Sequence, residues 1–229
     1  MNEQVLYDRP LFPAQLNMAH PLTRGLVGCW VLNENDPTSM RAWDSSPYKN
    51  HGLVTGALGR HQGRKVDGID DIIDVAVGTE ITGLTTYAIE AWQKLTAVEN
   101  GQVLLNFRPG DVYQIFTTMY SNATTGWAYL GLSYYRLFTT ALDTAWHHII
   151  FEVTGDDVTT AALYVDSVAQ AIQSTTSTGS VSAKTGLRIG EGHAEWLNAT
   201  LGELRIYNRL LTASEKQQLY LNPYDMFLR

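Results

Sequence analysis

The sequence predicts an all-β protein: one sandwich of two antiparallel sheets, closed by a single short C-terminal helix. Three observations carry this. Short apolar segments recur down the chain, each bounded by Gly, Pro, Asn, Asp or Ser. Charged residues make up only 17%, and Thr, Ser, Gly and Asn fill the polar positions, a balance that suits strands and turns. No strand–helix–strand alternation of the kind that builds a parallel sheet is present. With 229 residues, 45% of them hydrophobic, the chain is long enough for one sizeable core and is read as one domain.

Residues 1–24 contain Pro10, Pro13 and Pro21 among scattered apolar groups and read as an extended arm. Strands are then expected at LVGCWVL (26–32), HGLVTG (51–56), DIIDVAV (71–77) and TTYAIEAWQKL (85–95). The last alternates, with Tyr87, Ile89 and Ala91 on one face and Ala88, Glu90 and Trp92 on the other. QVLLNFR (102–108) and VYQIFTTMY (112–120) flank a Pro109-Gly110-Asp111 turn. GWAYLGLS (126–133), YYRLFT (134–139), WHHIIFEV (146–153) and TAALYVDS (160–167) continue the series, with a turn at Gly155-Asp156-Asp157. Residues 169–184 hold few large side chains and read as one weak strand and a loop; TGLRIG (185–190) and TLGELRIYN (200–208) follow. In LLTASEKQQLYLN (210–222), Thr212 with Glu215 three residues on forms a capping box, so one short helix is expected. Residues 223–229 form a tail with Tyr224, Met226, Phe227 and Leu228.

A net charge of −7 without a basic stripe excludes a nucleic-acid partner. Cys29, the single cysteine, lies in an apolar run and reads as a buried inert thiol. The first residues lack the apolar stretch of a signal peptide, and no run has the length of a transmembrane helix. The expectation is synthesis in the cytoplasm without membrane insertion.

The stretch GLVGCWVLNEN followed by WDSSPYKNHG resembles the opening of laminin-G-like domains of the concanavalin A-like jelly-roll superfamily. The matching positions are Gly25, Leu26, Trp30, Glu34, Asp44, Ser46, Asn50, His51 and Gly52. Val66-Asp67-Gly68, YAIEAWQK (87–94), WHHIIFEV, LYVDS (163–167), LRIGEG and LGELRIYNRLLTASEKQQLY (201–220) resemble the later signatures, in the usual order. Ser167 stands where glycine is usual. The resemblance implies a concanavalin A-like jelly roll over residues 25–222, with Trp30, Trp92 and Trp146 in the core. It says little about function, since this fold hosts lectins, enzymes, adhesion domains and virion proteins.

Acidic loop residues Asp44, Asp67, Asp70 and Asp71, with Glu203, are candidates for a structural Ca²⁺. The resemblance points best to Asp44 and Glu203, although Glu203 stands where aspartate is common. The alternative is that Asp44 only organises the following turn. The histidines are scattered and no cysteine assists them, which argues against zinc. No paired-carboxylate strand of the glycosidase type occurs, so no catalytic residues are assigned and the chain is read as a non-enzyme. Sugar binding needs exposed aromatic platforms beside amides and hydroxyls. Tyr120, Asn122, Trp127, Tyr134, Tyr135, His193 and Trp196, near loops, are the ligand candidates, and Trp43 is a further residue placed for contact with a partner.

The closing residues also resemble tails of such domains in phage and prophage proteins. Apolar groups at both ends, with no export signal, lead to the expectation of a non-catalytic virion surface protein of the capsid-decoration or fibre type. It would dock on other virion proteins, or on itself, through the arm or the tail. The alternative is a carbohydrate-binding, lectin-like module; a glycoside hydrolase or lyase is third.

Overall fold

The computed structural model describes residues 9–10, 13–32, 39–60, 62–99, 101–107, 115–119, 125–131, 134–140, 142–176, 184–192 and 195–228, with only the backbone for 115–119 and 125–131. The first sheet runs in the order β14 (Val168–Ala169), β13 (Asp157–Val165), β12 (Trp146–Thr154), β7 (Tyr87–Leu95), β19 (Asn198–Tyr207), β5 (Gly63–Asp67) and β4 (Leu58–Arg60), and β1 (Leu26–Trp30) also pairs with β19. The second runs β15 (Ala171–Thr175), β11 (Tyr134–Thr139), β10 (Thr125–Gly131), β9 (Ile115–Met119), β8 (Gln102–Asn106), β16 (Leu187–Ile189), β6 (Ile72–Val75), β3 (Gly52–Thr55) and β2 (Arg41–Ala42). A small ladder joins β17 (Glu191–Gly192) and β18 (Glu195–Trp196). Every described pairing is antiparallel. The architecture is the expected jelly-roll-like sandwich with a C-terminal helix, α2 (Ala213–Leu221); a one-turn helix, α1 (Thr79–Thr82), was not foreseen.

The main core lies between the sheets. Ile89, Ile149 and Phe151 from the first meet Val54, Ile73, Val75, Leu105 and Ile189 from the second, around Trp30. Alternation along β7 places Tyr87, Ile89 and Ala91 in this core. The opposite face, Ala88, Glu90 and Trp92, is equally buried, because the chain covers the back of the first sheet with a third layer. Leu219 of α2, Leu22 of the arm and Tyr224, Met226 and Phe227 of the tail pack there with Trp92, Trp146 and Ile150. Cys29 is buried in the same layer, and burial pushes its thiol up to about 12. Arm and tail also pair with each other: Leu16 bridges Phe227, Asn17 N–H donates to Met226 C=O at 2.8 Å, and Leu228 N–H donates to Gln15 C=O at 2.8 Å. For the described residues, both ends dock on their own sandwich.

The β4–β5 hairpin was not expected, because its sequence, LGRHQGRKVD, is charged and reads as loop. Its Arg64 is fully buried and donates to the carbonyls of Ser39 (3.1 Å) and Ala57 (2.8 Å). Two sequence details have local causes. A Cβ on Gly52 would sit 2.5 Å from Ile73 Cγ2, so the strand pairing β3 with β6 admits no side chain there. Ser167 holds φ +66° in the β13–β14 turn, which explains why glycine is usual at that place.

The predicted capping box on α2 is present: Thr212 Oγ1 accepts from Glu215 N–H (3.2 Å), and Glu215 Oε2 accepts from Thr212 N–H (2.8 Å). Arg209 grips the same carboxylate with two bonds of 2.9 and 2.7 Å. Burial disfavours the Glu215 charge, but the Arg209 and Thr212 bonds outweigh it and pull the carboxyl down to about 2. The folded pKa is depressed, so this stabilisation is present above the ordinary value of 4.5 and lost as pH falls toward about 2. Thr212→Ala should cost about 1 kcal/mol in a urea titration at neutral pH, and Glu215→Gln should flatten the acid limb of the stability profile across that window.

Candidate functional site

The WDSSPYKNHG loop joins β2 to β3 at the edge of the second sheet, and Asp44 builds it and ties it to β1 of the first. Its Oδ1 accepts from Cys29 N–H (2.8 Å) on β1 and from Ser46 N–H (2.7 Å); its Oδ2 accepts from Ser46 Oγ–H (2.7 Å) and Asn50 N–H (2.8 Å). Burial pushes the Asp44 carboxyl up, and these four bonds oppose the shift. Asp44 N–H in turn donates to His51 Nδ1 at 3.0 Å, so the neutral ring carries its proton on Nε2. Burial holds His51 below its ordinary value, favouring that neutral form.

This frame presents Trp43 at the surface, 38% exposed. His51 meets its ring edge-on, with centroids 4.6 Å apart, and the Arg41 guanidinium lies 5.3 Å from the indole centroid. A cleft of about 190 Å³ opens beside it, lined by Pro13 and Ala14 of the arm, Val31, and Trp43, Asp44, Ser45, Lys49 and His51 of the loop. Chemically this is an exposed aromatic plate beside a ring N–H and an ammonium group. Asp44, the one carboxylate in the described lining, has both oxygens engaged by the loop.

Glu203 is committed elsewhere. It lies fully buried on β19, where Arg205 binds Glu203 (2.7 Å), Glu90 (2.9 Å) and the Pro223 carbonyl (2.6 Å). His148 Nε2 shares a hydrogen bond with Glu90 Oε1 at 2.9 Å. Burial pushes Glu203 well up, whereas Arg205 and His148 overcome the same burial at Glu90 and hold it down. Arg9 of the arm donates to the carbonyls of Val31 and Gly202 and bears electrostatically on Glu203. The cluster joins the sheet to its third layer, and neither carboxylate lines the cleft.

Beside the expected calcium pair, Asp44 with Glu203, the structure gathers a second acidic grouping. Asp67, at the end of β5, and Asp70 and Asp71, just before β6, each bring a carboxylate oxygen within 4.8 Å of the others. Asp67 Oδ1 accepts from Ile69 N–H (2.8 Å), while burial, then the Asp67 charge, pushes Asp71 up. These residues were legible as acidic loop positions; only the fold shows that they converge.

Of the predicted ligand residues, Tyr120, Asn122 and His193 lie outside the described residues, and Trp127 is described only as backbone of β10. Tyr134 is half-buried against the main core. Tyr135, its neighbour on β11, exchanges hydrogen bonds with Thr176 (3.0 and 3.1 Å). Trp196 sits half-buried on β18, opposite Glu191. These three stand on separate elements from the cleft. Lys49 and Arg41 were not singled out in the sequence, because their meeting with Trp43 depends on how the loop folds back.

A family model described as the concanavalin A-like lectin/glucanases superfamily matches residues 67–215. Comparison with curated proteins gives no match. Among solved structures, Trypanosoma rangeli sialidase superposes with a TM-score of 0.59 at 18% identity, over 88% of this chain and 33% of its own. The chain therefore spans about a third of that enzyme's length. Domain 4 of the arabinanase AbnA from Geobacillus stearothermophilus, in complex with arabinotriose, gives 0.62 at 17% identity, over 85% and 98%. Botulinum neurotoxin type C, studied for its interaction with two ganglioside molecules, gives 0.65 at 8% identity, over 88% and 51%. At these identities the likeness is one of fold.

Proposed function

Because the chain belongs to the concanavalin A-like lectin/glucanases superfamily, we propose that it is a carbohydrate-binding, lectin-like module whose site is the cleft at Trp43. The observation that carries this is the exposed indole held rigidly beside polar groups. A sugar ring lays its C–H face on such a plate, while His51 Nε2–H and Lys49 donate to hydroxyls. The cleft volume of about 190 Å³ falls below the roughly 300–1,000 Å³ of drug-sized sites and suits one monosaccharide unit. Binding without chemistry is supported by the burial of Glu90 and Glu203 around Arg205, away from the cleft. The resemblance to a sialidase and to an arabinanase domain fits sugar recognition but rests on fold alone.

A glycan array tests the reading. Wild type should give hits, and Trp43→Ala should weaken them about tenfold or more in protein that a melting curve shows to be folded. An array without hits, or hits indifferent to the substitution, would count against this site.

The expectation of a display role on a virion rests on the missing export signal, on the resemblance of the tail and on apolar groups at both ends. Of those apolar groups, Leu16, Tyr224, Met226 and Phe227 pack on the protein's own sandwich.

Calcium, if bound, belongs at Asp67, Asp70 and Asp71, with carbonyls or water completing the 6–8 oxygens it takes. Calcium at about a hundred times its dissociation constant should stabilise the fold by about 2.7 kcal/mol. Chelator should reverse this, and Asp71→Asn should abolish it. A melting temperature unmoved by calcium would retire the idea.

A further inference from the structure

The cleft's charge is opposite to that of the chain. The protein carries a formal −7, yet Arg41 lies over the Trp43 ring and Lys49 lines the same cleft. Both cations act on His51, where each disfavours protonation. Among the described residues, the acidic groups nearby are occupied: Asp44 accepts four hydrogen bonds within the loop, and Glu80 accepts from Asn50 Nδ2 (2.8 Å) and Gly78 N–H (3.0 Å). Arg41 is exposed, and its planar guanidinium matches a carboxylate with two parallel donors. Lys49 adds an exposed ammonium, and His51 a neutral N–H donor. A neutral sugar would use the indole with His51 Nε2–H and Lys49 as hydroxyl donors, and would bring neither cation an opposite charge; within the protein Lys49 Nζ donates to Ser45 C=O (3.4 Å).

We propose that the Trp43 cleft selects an acidic sugar, one whose ring stacks on Trp43 while its carboxylate pairs with Arg41 and Lys49. This inference rests on the sugar-binding reading above and adds the class of sugar.

The test uses the full chain against oligosaccharides in matched pairs: uronate-containing and sialylated glycans, each beside its neutral methyl ester. The acids should bind about tenfold or more tightly than their esters. Raising salt from about 0.05 to about 0.5 M should weaken the acids and leave the esters unchanged. Arg41→Gln should cost about tenfold for the acids and little for the esters, and Lys49→Gln, which also removes a hydroxyl donor, should cost the acids about tenfold more than it costs the esters. Both side chains are exposed, and melting curves of the two variants confirm that they fold. Acids and esters bound equally well, with Trp43→Ala abolishing both, would overturn the charge inference and leave the lectin reading standing. Acids bound tightly but indifferent to Arg41 and Lys49 would also overturn it. Binding of neither class would take down both readings.

Discussion

Asp44→Ala should destabilise the protein by about 3–5 kcal/mol, measured by urea denaturation at neutral pH. The substitution removes the acceptor for three backbone N–H groups and one hydroxyl, at Cys29, Ser46 and Asn50. Each buried donor left without a partner costs about 1–3 kcal/mol, and the total is tempered where the loop relaxes toward water. Asp44→Asn keeps one accepting oxygen and should lose about half as much. The loss has a functional side. Asp44 ties β1 to the loop and fixes His51, so the variant should also bind sugar poorly at temperatures where it remains folded. A loss below about 1 kcal/mol would mean that the loop is held by other contacts.

Arg205→Met should cost about 3–5 kcal/mol, because Glu90 and Glu203 are left buried around a missing cation. It should also loosen the tail, since the Pro223 carbonyl loses its donor. The physical account makes a second demand. Replacing Arg205, Glu90 and Glu203 together with apolar residues of similar volume should recover much of that loss, because the desolvation cost of all three charges goes with them. If the single substitution is harmless, or the triple is worse than the single, the cluster does not act as a balanced unit.

Much of the fold was legible because strands announce themselves by alternation and turn residues. The segments at Leu26–Trp30, Tyr87–Leu95 and Trp146–Thr154 carry large apolar groups at the right period, and each appears as a strand. The capping box at Thr212 is a local signal and was equally plain. What stayed hidden depends on distant partners. The β4–β5 hairpin is charged and gains its place when Arg64 finds the Ser39 and Ala57 carbonyls. The third layer could not be read from β7, whose second face mixes Ala88, Glu90 and Trp92; burial of Glu90 depends on Arg205, more than a hundred residues away. The candidate site divides in the same way. Asp44 as the organiser of its turn follows from local spacing, and Trp43 stood out as a large aromatic in a polar loop. Arg41 and Lys49 gain meaning only after the loop folds back over Trp43. Asp44 and Glu203, the calcium positions that the resemblance implies, are each hydrogen-bonded to protein groups that only the fold brings to them.

The most direct test of a sugar site at Trp43 follows the indole N–H signals of the six tryptophans by two-dimensional NMR during titration with an oligosaccharide. The account predicts that the Trp43 signal shifts with saturation, while those of Trp30, Trp92 and Trp146, which are buried in the two cores, stay in place. Shifts confined to Trp127 or Trp196, with Trp43 unmoved at saturating sugar, would contradict it.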